Sequence, residues 1–424
     1  MFAFALFLSL LFVSQFGTMS AAVFVLLVPA YMLVRRRDIL AATASKALLL
    51  VLPVLALASI AWSEARGVTA KYAIELTLTL LAAFLLSSAR EQEAILEGMA
   101  AAFLVYVGVA LVAGKSVAVG VGSGGEAFSG LTDSKNLIAD IAATGIMITS
   151  VLAVVALRKR DLFWIAIAVV GLLVEGRVLL AARSAGAVVG LAIGLGALAA
   201  MMPLLVLPPA MRAIVTALAS LVLLVAAASY RAIASAVIAG GSAMFNKDPT
   251  LTGRTYLWYR AHDLIREKPM LGRGYSAFWQ QGNIDAEGLW RYAGITGRSG
   301  FSFHNSAIQI LVELGWFGLV VVCAVVLIST LALAFRVIRR PTPMLCFWMA
   351  ILLYELCRAP IEAVGVAPLY YSSMIVFTAL AAAFGSEPAG SSRPGRRSHP
   401  TPPRIYPTGP GAHRLRAAKP PETP

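Results

Sequence analysis

Acidic residues are scarce in this chain: 21 Asp and Glu stand against 35 Lys and Arg among 424 residues, a formal net charge of +14. Cysteine occurs three times, and Cys323, Cys346 and Cys357 all lie inside apolar runs. That excludes a disulfide framework or a cysteine-based zinc site as the organising principle. The four histidines are His262, His304, His399 and His413, and no cofactor is expected. Charged residues of both signs reach only 13%, whereas 59% are hydrophobic and the mean hydropathy is +0.81. Too little polar surface remains to solvate a soluble globule, which leaves an integral membrane protein.

A hydrocarbon core of about 30 Å takes about 20 apolar residues per helix. Runs of that kind place helices near 2–16, 18–34, 46–62, 71–88, 95–113, 136–157, 162–176, 184–202, 213–230, 306–334, 343–358 and 367–385, about twelve in all. The fold class expected is therefore all-α and polytopic, with residues 1–385 as one membrane domain. The first pair reads either as a tight hairpin around Gly17 or as one kinked helix. With a cytoplasmic N-terminus, twelve basic residues fall in the short inside connections, among them Arg35, Arg36, Arg37, Arg158, Lys159, Arg339 and Arg340, against seven outside. The excess sets that orientation under the positive-inside rule. Residues 386–424 are Pro-rich and basic, cannot bury a core, and read as a disordered cytoplasmic tail. The net charge then marks membrane orientation, and no nucleic-acid partner is invoked.

One connection, 231–303, is long and falls on the extracytoplasmic side. It holds nine Lys and Arg, five Asp and Glu, and eleven aromatic residues. A loop of this length is functional or disordered, and the aromatics speak for order. Within it "LTGRTYLWYRAHDLIREKP" (251–269) predicts an amphipathic helix against the membrane surface: Thr252 is a candidate N-cap, Leu257, Trp258, Ala261, Leu264 and Ile265 repeat at helical spacing, and Pro269 ends it. Arg254 falls in the first turn, where the helix dipole disfavours a cation unless an anion is held there too. It is either an anion ligand or a plain surface charge. In "PMLGRGYSAFW" (269–279), Gly272 and Gly274 permit close backbone approach, and Phe278 and Trp279 offer flat faces suited to sugar rings or to an interfacial belt.

Downstream, "FSFHNSAIQILVELGWFGL" (301–319) opens a helix with His304 and Asn305. Asn305, Gln309 and Glu313 then recur every fourth residue, a polar stripe that should face the bundle interior or a water-filled cavity. His304 is either a helix-end residue or a reacting group. Two other polar spots share that side: Asp133, Lys135, Asn136 and Asp140 lead into one helix, and Arg183 with Ser184 starts another. Basic groups converging on one leaflet suit a phosphate-bearing lipid head group. The stretch Gly108–Ser116 has five residues between its glycines where a P-loop needs four, and "GVGSGG" (120–125) lacks a flanking strand, so both read as turns.

Taken together, "GRT.LW", "P..G.G...FW" and "HN......ELGW.GL" resemble the outer loop of the O-antigen ligase and polymerase family, especially its exopolysaccharide-polymerase branch. "SGLTDSKN" resembles the family's Lys-Asn segment at Lys135 and Asn136; "AARSAGAVVGL" matches its Ser/Arg-containing helix start loosely, with Arg183 offset by a residue. The resemblance implies a GT-C-like, metal-independent membrane glycosyltransferase in the bacterial inner membrane, acting at the periplasmic face. It implies a polyprenyl-diphosphate-linked glycan as donor and a glycan or lipid as acceptor, with membrane lipids, a chain-length regulator and a flippase as partners. Arg254 and Arg183 would hold the diphosphate and His304 would position or deprotonate the acceptor hydroxyl. Lys135, Asn136, Asn305, Trp258, Gly272, Gly274, Phe278 and Glu313 would line the substrate. Three readings stay open: a polymerase of lipid-linked repeat units, a ligase of finished chains, and a transporter or flippase of twelve helices.

Overall fold

The computed structural model describes residues 1–118, 125–132, 134–215, 254–295, 297, 298, 301–365 and 367–385. The expected helix at 213–230, most of the segment before 254, the candidate cap Thr252, Asp133, and the tail after 385 lie outside the described residues, wholly or nearly so.

Lipid offers no partner to a backbone N–H or C=O, so apolar segments must close their hydrogen bonds within helices. The described chain does so through α1 (Phe2–Leu11), α2 (Val13–Phe16), α3 (Thr18–Val34), α4 (Arg36–Ser45), α5 (Val51–Ala58), α6 (Arg66–Ser87), α7 (Gln92–Ala113), α8 (Lys135–Lys159), α9 (Leu162–Ala182) and α10 (Ala185–Met201). After the long connection come α11 (Arg254–Glu267), α12 (Ile284–Tyr292), α13 (Ser306–Arg339), α14 (Pro343–Arg358) and α15 (Tyr371–Ala382). Among the described residues six helices are long and apolar enough to cross a membrane, against the twelve expected: α6, α7, α8, α9, α10 with its 3-10 extension to Leu205, and α13. The pair α3 and α4, bent by 99°, makes a seventh if it counts as one broken span. Of the other expected helices, α1, Ala47–Ala61 and α15 are apolar but short, and 213–230 lies almost wholly outside the described residues.

The N-terminal pair forms the hairpin. Gly17 reverses the chain at φ 49, and α1 packs on α3 and on α7. At the core, α8 is the most enclosed span and packs on α7, α9, α10 and α14. Among the described residues the all-α class carries one small strand element. Lys115–Ala118 and Glu126–Gly130 pair as a two-stranded antiparallel ribbon, β1 and β2, with Ser116 opposite Phe128. The P-loop-like stretch thus runs from the end of α7 into β1, the reverse of the strand-to-helix order that motif needs.

Contacts sort the connections into two ends. At one, Gln15 reaches Leu131, Trp62 reaches Leu271, Ser184 reaches Asn136 and Asn305 reaches Pro360. At the other, Lys46 bonds Ser88, Lys159 pairs with Glu93, Arg212 bonds the Arg339 carbonyl and Arg336 bonds the Ala382 carbonyl. The 254–303 segment belongs to the first end.

That segment has a small core of its own. Leu257, Ala261, Leu264 and Ile265 of α11 bury against Phe278, Leu289, Trp290 and Phe303, and against Leu311 and Val312 of α13. The apolar face of α11 therefore packs on protein, where the sequence suggested the membrane surface. Burying a large apolar side chain is worth roughly 1.5–3 kcal/mol, and Phe278, Trp290 and Phe303 are fully enclosed. That accounts for the order of this segment.

Candidate active site

The segment is locked to the membrane domain by a break in α13. Gly315 sits at φ 65 and ψ −168, so the helix cannot close its own ladder there. The turn after α11 completes it: Arg273 N–H donates to Val312 O at 3.0 Å and Gly274 N–H to Glu313 O at 2.8 Å. In return Trp316 N–H donates to Pro269 O at 2.8 Å and Phe317 N–H to Met270 O at 3.1 Å. A side chain on Gly272 would come within 2.5 Å of the Glu313 carbonyl carbon, and one on Gly315 within 2.3 Å of Met270. Gly272 and Gly274, both at positive φ, thus serve close approach to α13 and, at Gly274, to Ser63. Phe278, in the same turn, is fully buried.

The inward-facing part of the polar stripe holds this junction from the other side. Gln309 donates to Glu313 Oε1 at 2.6 Å, while its Oε1 accepts from Phe303 N–H at 3.1 Å and Trp279 Nε1 at 3.4 Å. Both Gln309 and Glu313 are buried. Trp258 Nε1 donates to the Phe303 carbonyl at 2.8 Å. These bonds fix the residue before His304, and His304 itself takes φ 50, a conformation that costs a non-glycine residue of order 1–3 kcal/mol. Gln309, Glu313 and Trp258 therefore shape the backbone that presents the imidazole.

What faces the imidazole is Glu362, a residue the sequence reading passed over. His304 Nδ1 lies 3.0 Å from Glu362 Oε2, and Arg254 Nη2 lies 2.6 Å from Glu362 Oε1. Arg254 Nη1 also donates to Ile361 O at 2.7 Å. The anion expected beside Arg254 is thus present as a side chain of the same chain, which offsets the unfavourable dipole at the start of α11. Glu362 is carried on the connection between α14 and α15, and α13 clamps it. Asn305 caps α13 by accepting from Ile308 N–H and donates to Pro360 O at 2.9 Å. Ser306 N–H donates to Ala359 O at 2.8 Å, and its hydroxyl bonds the carbonyls of Glu362 and Val364. Asn305 thus clamps the turn.

Burial alone would raise the Glu362 carboxyl. The hydrogen bond from His304 and the positive fields of Arg254, His304 and Arg358 outweigh it and hold the group at about 2. An ionised carboxylate on Nδ1 favours a proton on that nitrogen and leaves Nε2 as the ring nitrogen turned away from it. Side-chain exposure falls from 29% at His304 to 23% at Glu362 and 16% at Arg254. The imidazole is therefore the group of the three most open to a substrate.

The other expected residues gather at the same end. Ser184 donates to Asn136 Oδ1 at 3.0 Å, joining the starts of α8 and α10. Gly186, the second residue of α10, faces Ile361. Arg183 is exposed at the left-handed cap of α9, φ 48, and Lys135 opens α8. Glu362 had a faint signal in the sequence: it is the one acid in "RAPIEAVG" (358–365), between two apolar helices and opposite two basic helix starts.

Residues 176–323, from the end of α9 to the middle of α13, match the family described as O-Antigen ligase. The chain is also 30% identical over 392 residues to the Exopolysaccharide production protein ExoQ of Rhizobium meliloti (strain 1021), covering 88% of this chain and 86% of that protein. Arg254 and His304 fall inside the matched interval and Glu362 beyond it, within a likeness that runs most of the chain's length. On that likeness the chain belongs to the O-antigen ligase/ExoQ-like family of membrane proteins.

Proposed function

We propose that the chain polymerises polyprenyl-diphosphate-linked repeat units into an exopolysaccharide or O-antigen. It does so at the periplasmic face of a bacterial inner membrane, which it crosses about twelve times in a GT-C-like arrangement. The observation that carries the reading is the His304–Glu362 contact beside Arg254, in a chain whose relative is named for exopolysaccharide production.

In the reaction, an acceptor sugar hydroxyl attacks the anomeric carbon of the donor. A carbon–oxygen bond forms, the anomeric carbon–phosphate oxygen bond breaks, and the polyprenyl diphosphate leaves with the electron pair. His304 Nε2 takes the hydroxyl proton as general base, and Glu362 stabilises the imidazolium that results. Arg254 draws the diphosphate, which competes with Glu362 for the planar guanidinium; Arg183 and Lys135 add positive charge at the same end, and Asn136 borders it. Neutralising the leaving group lowers the barrier without any metal ion.

Ligation of a finished chain to a lipid or protein acceptor is the second reading, favoured by the description of the matched family. It shares the donor, the base and the leaving group. Removing the protein from its host and examining lipid-linked intermediates separates the two. Accumulated single repeat units mark a polymerase; accumulated long polymer on the carrier lipid marks a ligase.

A further inference from the structure

Beneath the Glu362 turn lies a buried ionic cluster that the proposed chemistry does not touch. Asp140, one and a half turns into α8, accepts from Tyr354 Oη at 2.5 Å and Tyr371 Oη at 2.6 Å, and pairs with Arg358 Nη1 at 2.6 Å. Arg358 also meets Glu355 Oε2 at 3.0 Å. Asp140, Glu355 and Arg358 are all buried. Gly190 makes room for the arginine, since a side chain there would sit 3.1 Å from Arg358 Cδ.

A buried ion pair is weak evidence for stability, because desolvation offsets most of the attraction. Its value lies in fixing geometry, and here the geometry leads to one place. The Arg358 carbonyl accepts from both Ile361 N–H and Glu362 N–H, each at 2.8 Å. The side chain that Asp140 anchors therefore belongs to the residue whose backbone sets the direction of Glu362. From there the line continues to His304 and Arg254. A methylene more or less at Asp140 would tilt α14 against α8 and swing the carboxylate that both groups share.

We infer that Asp140 is a positioning residue for the transfer reaction: it anchors Arg358, and through the Arg358 carbonyl it aims Glu362 at His304 and Arg254. This rests on the reading that Glu362 orients His304 as the base. It assigns a function to a buried acid 164 residues before the histidine that it serves.

A double-mutant cycle in purified, detergent-solubilised full-length protein tests it. Turnover is measured on a polyprenyl-diphosphate-linked repeat unit for wild type, Asp140→Asn, Glu362→Gln and the double variant. Asp140→Asn is expected to lower turnover about tenfold in the wild-type background, with donor affinity changed less than threefold, and to cost less than a further twofold once Glu362 is Gln. Equal tenfold losses in both backgrounds would show a merely structural role and overturn the inference. If Glu362→Gln alone turns over like wild type, the underlying reading of Glu362 fails and the inference goes with it, so the two failures are told apart. Tyr371→Phe removes one of the hydroxyls that hold Asp140 without changing charge. It is expected to lower turnover two- to fivefold, and serves where Asp140→Asn does not fold. Hydrogen exchange gives a readout independent of activity: in either variant the amides of 359–364 should exchange at least tenfold faster while those of 270–274 are unchanged. Uniform acceleration across both turns, or none at 359–364, would contradict the inference.

Discussion

His304 and Glu362, 58 residues apart in sequence, meet at 3.0 Å through Nδ1 and Oε2. The same carboxylate holds Arg254 on its other oxygen at 2.6 Å. One acid thus couples the group proposed as base to the group proposed to meet the donor.

Replacing Glu362 by Gln removes the charge but keeps the shape. Losing a charge-assisted hydrogen bond costs roughly 1.5–3 kcal/mol, or about 10- to 150-fold at about 1.4 kcal/mol per decade. The loss is expected in the rate of transfer, with membrane insertion intact. Single-turnover assays on purified protein check it, and a rate within twofold of wild type would remove Glu362 from the mechanism.

The depressed Glu362 carboxyl carries a sign for pH. Its native value of about 2 lies below the ordinary 4.5, so its stabilising contribution is complete above about 4.5 and is lost as pH falls towards 2. The difference in melting temperature between wild type and Glu362→Gln should therefore stay constant from pH 7 to about 5 and shrink below that. A difference that already vanishes at pH 6 would mean that Glu362 is not held ionised by His304 and Arg254.

Gly315→Ala would force a side chain to within 2.3 Å of Met270 at a φ of 65. The backbone conformation alone costs of order 1–3 kcal/mol, and the collision adds to it. Thermal melting of the detergent-solubilised protein is expected to drop clearly, and Gly272→Ala should behave alike. Unchanged melting in both would mean that the turn does not interlock with α13.

Phe278→Ala separates packing from sugar contact. A fully buried phenylalanine lost from a core costs about 3–5 kcal/mol, so the 254–303 segment should become protease-sensitive. If instead stability holds and only acceptor affinity falls, the ring faces substrate after all.

Arg254 and His304 were legible in the sequence because each stands at the start of a periodic helix in an otherwise apolar chain. Glu362 was not, because a lone acid in a short connection has no periodicity and gains meaning only when α11, α13 and that connection meet in space. The glycines of 272 and 274 signalled close approach correctly, but sequence cannot say whether the neighbour is a ligand or a helix; here it is the broken ladder of α13 at Gly315. The amphipathic face of α11 was readable for the same reason that its partner was not: a 3.6-residue pattern shows that a face is buried and not against what. Helix number is harder to read, since apolar runs interrupted at Gly17 or at Val34–Arg36 break into helices shorter than a full span.

Sidedness also follows from the basic residues. In a variant lacking Cys323, Cys346 and Cys357, a single cysteine at position 285 is expected to react with an impermeant thiol reagent applied from outside the cell, and one at position 395 is not. Labelling at 395 alone would invert the topology.

The most direct test of the central claim is transfer by purified protein from a polyprenyl-diphosphate-linked repeat unit, in the presence of a metal chelator, comparing wild type with His304→Ala and with Arg260→Lys as a control on the outer face of α11. Wild type and Arg260→Lys are expected to join repeat units at similar rates, while His304→Ala binds the donor and yields at most about a hundredth of the product. Product formation by His304→Ala at the wild-type rate would contradict the account.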